Sequence, residues 1–337
     1  MSENNINDNE NDRNTTNNSN TNNDNSNSTN ATVNADSEST VKNVKEKVLK
    51  VRRLAKEYQG NFILQNINFE LERGTFCSLL GENGVGKSTL LNILMGQESF
   101  EQGEGEILGF NIKDDLGPLK NKIGLVTEKI NYDVPITVGN FFKRYSAFFN
   151  NWDDDFFCKT MKERGLSLDR AFSQYSRGQK MQAALIAALA IKPEILLIDE
   201  ITAVLDIYAR KFFMELLKKF TTSGGTVFIT TNIISEIQFV VDRVIILDRG
   251  EIQLNERVKE IPYKFVKLRT KEPNLHYIFT HPGCFWSGQN SDGSSSFILP
   301  ASIAHQFDIP HEFLDRRSAT IDEIFIYFIK TGDKKIA

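Results

Sequence analysis

The run Gly81-Glu82-Asn83-Gly84-Val85-Gly86-Lys87-Ser88-Thr89 decides the fold. It fits the pattern G-x-x-x-x-G-K-[ST], and its surroundings are those the pattern requires. Phe76-Cys77-Ser78-Leu79-Leu80 before it is a largely apolar stretch of strand length, and Thr89-Leu90-Leu91-Asn92-Ile93-Leu94-Met95 after it predicts a helix ending at Gly96. Glycines let the backbone N–H groups of such a loop turn inward around phosphate oxygens, where the positive end of the following helix also points. The chemistry implied is binding of a nucleoside triphosphate. Gly81, Asn83, Gly84, Gly86 and Thr89 form the cradle, Lys87 pairs with the β- and γ-phosphates, and Ser88 holds Mg²⁺.

From Lys47 to about Leu254 strand-like and helix-like segments alternate, the signature of an α/β fold with a parallel sheet covered by helices. Beyond it, Lys264–Leu268, Tyr277–Phe279 and Ser296–Leu299 predict short strands, and Asn290-Ser291-Asp292-Gly293 predicts a hairpin turn. A last helix is expected from the capping box at Thr320 and Glu323, with Ile321, Ile324, Phe325 and Phe328 on one face. Residues 256–337 therefore read as a small C-terminal α+β appendage. Residues 1–42 are dominated by Asn with Asp, Ser and Thr, and are expected to be a disordered tail because they have too little apolar surface to offset ordering entropy.

At 337 residues, 40% hydrophobic and 25% charged, the composition is that of a globular chain with room for one large domain and an appendage. The longest apolar run, Ala183 to Ile191, falls short of the roughly 18 to 20 residues of a membrane span, and no charged-then-apolar segment opens the sequence. A cytoplasmic location is expected. The three cysteines lack C-x-x-C spacing and the four histidines lack metal-ligand spacing, which argues against a disulfide framework and a zinc site. A net charge of −4 offers no global attraction for nucleic acid.

Two further segments narrow the reading. Tyr175-Ser176-Arg177-Gly178-Gln179-Lys180 leads into a helix at Met181, and Ile195-Leu196-Leu197-Ile198-Asp199-Glu200 is an apolar strand ending in two carboxylates. Here the sequence resembles the ATP-binding-cassette (ABC) ATPases, with a signature close to LSGGQ and a Walker B strand in the expected order. The resemblance implies a P-loop NTPase cassette over residues 47–255 with a helical subdomain at about 130–185. It also implies roles for single residues. Tyr58 sits where the family stacks an aromatic ring on adenine, although a half-buried strand tyrosine is the alternative. Asp199 would contact Mg²⁺, mostly through water, and Glu200 would orient and deprotonate the attacking water. Ala203-Val204-Leu205-Asp206 resembles the D-loop, and Asp248-Arg249-Gly250-Glu251-Ile252 the turn that closes the cassette.

Two positions depart from the family pattern. Glu128, after Ile123-Gly124-Leu125-Val126-Thr127, stands where the Q-loop glutamine is usual, and its oxygen would still reach Mg²⁺ and water. Asn232, in Thr230-Thr231-Asn232, replaces the switch histidine, and the first histidine of the chain is His276. An asparagine donates a hydrogen bond but carries neither charge nor proton, so binding is expected while hydrolysis is in question.

The segments Thr137–Tyr145 and Phe148–Phe156, together with Arg177, resemble exporters of the bacterial drug and bacteriocin resistance type, whose membrane subunits are separate chains. Phe141, Tyr145, Phe148 and Trp152 recur at helical spacing and are expected to be subdomain core. The resemblance implies ATP and Mg²⁺ as ligands, a separate transmembrane permease as partner, and a location on the cytoplasmic face of the membrane held only through that permease. It also implies a second cassette, with Ser176, Gly178 and Gln179 reaching the ATP held by Lys87 of the opposite subunit. The rival readings are a regulatory, ATP-sensing cassette that barely turns over and a soluble ABC protein acting on ribosomes or DNA.

Overall fold

The computed structural model describes residues 45–127, 136–200, 205–233, 238–271, 283–306, 314–315 and 319–331. Its amino-terminal strands are β1 (Lys47–Tyr58), β2 (Asn61–Glu72), β3 (Phe76–Leu80), β4 (Gln102–Ile107) and β5 (Phe110–Asn111). They are followed by β6 (Ile123–Thr127), β7 (Ile195–Asp199), β8 (Thr226–Thr231), β9 (Arg243–Asp248) and β10 (Glu251–Arg257). A six-stranded sheet runs in the order β10-β9-β3-β8-β7-β6, parallel throughout except for the antiparallel β10. Every residue of β3, β7 and β8 is buried, as a parallel sheet covered on both faces demands.

The register of this sheet positions the site. Leu80 pairs with Thr231, and Asp199 pairs with Thr230. The chain therefore leaves β3, β7 and β8 at one edge, where it forms the glycine loop, Glu200 and Asn232. Ligands of open α/β sheets bind at the carboxyl ends of their strands for this reason.

A second sheet, β2-β1-β4-β5, is antiparallel. Its buried Leu49, Leu54, Leu64 and Ile67 share a core with Leu90, Leu91, Ile93 and Leu94 of helix α1 (Lys87–Leu94). That packing anchors the helix on which the phosphate loop ends. Gly96 follows with φ 67°, the left-handed stop expected there.

Three helices form a separate layer: α2 (Val138–Ser146), α3 (Asp154–Glu163) and α4 (Arg177–Ala190). Each begins on a side-chain cap, with Thr137 Oγ1 accepting from Asn140 N, Asp153 Oδ1 from Phe156 N, and Ser176 Oγ from Gln179 N. Their core is aromatic. Phe172 is fully buried, with ring centroids 5.0 Å from Phe141, 5.7 Å from Phe142 and 5.7 Å from Tyr175. Phe141, Tyr145 and Trp152 pack against this cluster as expected. Phe148 does not: α2 ends at Ser146, so its ring swings onto the following turn and stays 67% exposed.

Helix α5 (Ile207–Thr222) leads into β8. After β10, which extends to Arg257 and so crosses the division drawn at residue 255, come α6 (Ile261–Lys264) and β11 (Phe265–Thr270). These are followed by β12 (Phe285–Gln289), β13 (Ser295–Pro300), α7 (Ala301–Gln306), β14 (Leu314–Asp315) and α8 (Ile321–Thr331). The strands form a third sheet in the order β12-β13-β11-β14. The hairpin at Asn290–Gly293 joins β12 to β13, whereas the expected strand Tyr277–Phe279 lies outside the described residues. The capping box of α8 forms in both directions, from Glu323 N to Thr320 Oγ1 and from Thr320 N to Glu323 Oε2. Its buried face is Ile321, Ile324 and Tyr327, with Phe325 and Phe328 only partly covered. Tyr327 escapes a reading by hydropathy because its hydroxyl is satisfied inside, donating to Gly283 O at 3.2 Å. Ile298, Ile321, Ile324 and Tyr327 belong to the same buried cluster as Val244, Ile246 and Leu254, so the appendage shares a core with the main sheet.

Phe172→Ala should cost about 3 to 5 kcal/mol in denaturant unfolding, because the cavity would open in the middle of the aromatic cluster. Phe148→Ala should change stability by less than about 0.5 kcal/mol. Equal losses for the two would contradict this account of the helical layer.

Candidate nucleotide-binding site

The glycine loop is shaped by close approach on two sides and by open space on the third. A Cβ at Gly81 would lie 2.6 Å from Val85 Cγ1 and 2.7 Å from Leu247 O, and one at Gly86 would lie 2.8 Å from Leu64 Cδ2. Gly86 also has φ 108°, a value that side-chain-bearing residues rarely adopt. A Cβ at Gly84, in contrast, would meet nothing within 4 Å. This open side is where the loop can accept a ligand. Helix α1 starts on Gly86 without a side-chain cap and without an acidic residue in its first turn, which leaves its first N–H groups for an anion.

Lys87 is only 4% exposed, and its Nζ donates to Gly81 O at 2.9 Å and to Glu82 O at 3.0 Å. The same nitrogen is 3.3 Å from Glu200 Oε1. Beside it, Ser88 Oγ donates to Asp199 Oδ1 at 3.0 Å, and Thr230 Oγ1 donates to that same oxygen at 2.7 Å. Glu200 is held by its backbone, its N–H donating to Thr230 Oγ1 and Thr230 O at 3.2 Å each. Its φ of 48° is uncommon outside glycine and turns the chain sharply as it leaves β7. Asn232 Nδ2 donates to Asn83 Oδ1 at 3.1 Å and so closes the loop from the β8 side.

Lys87, Ser88, Asp199, Glu200, Asn83 and Asn232 are thus brought together. A serine hydroxyl and a carboxylate offer hard oxygen ligands, which is the donor chemistry Mg²⁺ takes when most of its remaining ligands are water and phosphate. Tyr58 stands at the end of β1. Glu98 pushes the pKa of its hydroxyl above the ordinary value, and Thr89 of α1 opposes that shift. Its ring is 40% exposed.

Ser176 and Gln179 lie at the start of α4, and within one chain their hydrogen bonds run to each other, Gln179 Oε1 accepting from Ser176 N at 3.0 Å. Gly178 is half-buried in the same turn. Glu128 lies outside the described residues; β6 carries the chain as far as Thr127, which pairs with Asp199. Of the D-loop segment, Ala203 and Val204 also lie outside them, while Asp206 caps α5 by accepting from Ala209 N at 2.8 Å. Sequence reasoning missed Thr230 as a partner of Asp199. Its signal was a hydroxyl at the end of an apolar strand.

Residues 64–203 match the family model described as ABC transporter. The domain is an ABC transporter ATP-binding domain. The cassette is 28% identical to the dimeric post-hydrolysis state of the ATP-binding cassette MJ0796 bound to ADP and Pi, with a TM-score of 0.55 over 62% of this chain and 98% of that one. It is 29% identical to the linearmycin resistance ATP-binding protein LnrL of Bacillus subtilis, over 61% of this chain and 68% of the relative. It is 33% identical to the Fe(3+) ions import ATP-binding protein FbpC of Fusobacterium nucleatum, over 63% of this chain and 59% of the relative. The chain thus matches only about three fifths to two thirds of the length of these curated relatives.

Lys87→Ala should weaken ATP binding by roughly ten- to a hundredfold, because a charge-assisted contact to phosphate contributes about 1.5 to 3 kcal/mol. Titration calorimetry measures it directly. Undiminished affinity would contradict the assignment of the glycine loop.

Proposed function

We propose that this chain is an ATP-binding and ATP-hydrolysing subunit that drives an ABC exporter, working as a pair of cassettes beneath a separate transmembrane permease. The observation that carries the reading is the convergence at one sheet edge of Lys87, Ser88, Asp199 and Glu200, with Asp199 Oδ1 shared by Ser88 and Thr230. The linearmycin-resistance relative supports export, and the iron-import relative belongs to the opposite direction. No helix of the described residues is long and apolar enough to cross a membrane, which fits a subunit that reaches the membrane through a partner.

In this reading the phosphates take over Lys87 Nζ from the carbonyls of Gly81 and Glu82. Glu200 then loses its cationic neighbour and is free to orient water and accept its proton as the bond to the γ-phosphate breaks, yielding ADP and phosphate. Bound Mg²⁺, held by Ser88 and Asp199, would neutralise phosphate charge. Glu128, the residue after Thr127 in the sequence, would offer a carboxylate oxygen to Mg²⁺ and water. Asn232 would leave Asn83 and donate its amide hydrogen to the γ-phosphate. Ser176, Gly178 and Gln179 would close on the triphosphate of the opposing cassette, and ATP would favour the closed pair because it binds that state more tightly. The exposed Ser176 suits that role. Asn232 also motivates a second reading, a cassette that binds and closes but turns over slowly beside a better-equipped partner.

Turnover of the wild-type chain should fall well below the ordinary range of about 1 to 10 per second. Asn232→His should raise it, by up to roughly a hundred- to a thousandfold if a full transition-state hydrogen bond is restored. The new activity should also acquire a pH dependence near about 6.5, where an imidazole titrates and an amide does not. Glu200→Gln should abolish what remains. An Asn232→His variant no faster than wild type would contradict this role for the residue.

A further inference from the structure

Strand β8 buries three threonines, and one of them is placed unlike the others. Thr226 Oγ1 accepts from Gly74 N at 3.1 Å and Thr231 Oγ1 accepts from Ile233 N at 3.0 Å, so both meet main-chain groups. Thr230 lies directly opposite Asp199 in the β7–β8 ladder. It is fully buried, and its hydroxyl stands between the two consecutive carboxylate residues Asp199 and Glu200.

The bonds of this hydroxyl have a fixed direction. A carboxylate can only accept, so the single hydroxyl hydrogen of Thr230 goes to Asp199 Oδ1 at 2.7 Å. The oxygen then accepts from the N–H of Glu200 at 3.2 Å. Ser88 Oγ donates to the same Oδ1 at 3.0 Å, which fills the two lone pairs of that oxygen. No donor among the described residues meets Oδ2, the oxygen left for a metal ion and its waters. Glu200 has φ 48°, and a side-chain-bearing residue keeps such a conformation only when its surroundings hold it. Thr230 supplies both acceptors of the Glu200 N–H, its hydroxyl and its carbonyl. A valine would fill the same space in a strand that runs through Val227, Phe228 and Ile229. What threonine adds is the hydroxyl, and a buried hydroxyl is costly unless it is bonded.

We infer that Thr230 is a positioning residue for both carboxylates. Its hydroxyl turns Asp199 so that Oδ2 is the oxygen offered to Mg²⁺, and it braces the backbone of Glu200 so that the neighbouring carboxylate is aimed at the attacking water. The inference rests on the hydrolytic reading above and concerns how metal ligand and base are held to each other. Thr230 acts through these two residues and not on the nucleotide. Metal ligands are oriented by partners of this kind, and removing one weakens metal binding or activity by roughly tenfold or more.

The test is equilibrium binding of ATP to the full chain, with Mg²⁺ and with the metal chelated, together with single-turnover hydrolysis at saturating ATP and Mg²⁺. Thr230→Val should reduce the affinity gained from Mg²⁺ by about three- to tenfold and leave metal-free affinity unchanged, which also reports an intact fold. Its hydrolysis rate at saturation should fall further, by about ten- to a hundredfold, because the placement of the base is lost as well. Thr230→Ser, which returns the hydroxyl, should recover both quantities, and Thr230→Ala should match the valine variant. Equal losses with and without Mg²⁺ in the valine and alanine variants would assign Thr230 to packing and overturn the inference. So would unchanged values in both, or a serine variant as impaired as valine. A wild-type chain that binds no ATP, or binds it with an affinity indifferent to Mg²⁺, would instead remove the reading of the site on which the inference rests.

Discussion

One carboxylate oxygen organises the site. Asp199 Oδ1 accepts from Ser88 Oγ at 3.0 Å and from Thr230 Oγ1 at 2.7 Å, and so ties the first turn of α1 to the ends of β7 and β8. Asp199 is 5% exposed, and a buried carboxylate must be hydrogen-bonded to persist there. The requirement fixes where the phosphate-loop helix starts relative to the strand edge. Everything downstream depends on that register: Glu200 follows directly and is placed by its backbone bonds to Thr230, and Asn232 follows two residues after Thr230 and meets Asn83.

The charges of the site are arranged to change partners. Lys87 is nearly buried and is satisfied by two carbonyl oxygens and Glu200, so it is ordered before any ligand arrives. Triphosphate oxygens are better partners than carbonyls for the Lys87 ammonium, because they add the attraction of full opposite charges to the hydrogen bond. Glu200 and Asn232 hold contacts that a phosphate would break, with Lys87 and with Asn83. Ligand binding and the freeing of Glu200 and Asn232 would thus be linked through the same few atoms, while the aromatic core around Phe172 and the antiparallel sheet under α1 supply the rigid frame.

Much of this was written in local sequence. The strand Phe76–Leu80 and the turn at Gly96 stand where the pattern put them, because their causes are short-range: an apolar run and a left-handed stop. The capping box at Thr320 and Glu323 is equally local. Contacts across long separations were not legible. Asn83 and Asn232 meet across 149 positions, and Lys56 meets Glu101 across 45, and no periodicity announces such pairs. Strand β12 was missed because Phe285-Trp286-Ser287-Gly288-Gln289 alternates poorly and is recruited by its neighbour β13. Tyr327 was passed over in favour of Phe325 and Phe328 because a hydroxyl counts as polar until its buried partner is known.

The claim on which the rest depends is that this edge of the sheet grips a magnesium-bound triphosphate. Calorimetric titration of the full wild-type chain with ATP, in the presence of Mg²⁺ and with the metal chelated, tests it most directly. The account predicts saturable binding of one ATP per chain that weakens when Mg²⁺ is removed, because Ser88 and Asp199 are then left without the ion they are placed to hold. Absence of saturable heat up to millimolar ATP, or an affinity indifferent to Mg²⁺, would contradict it.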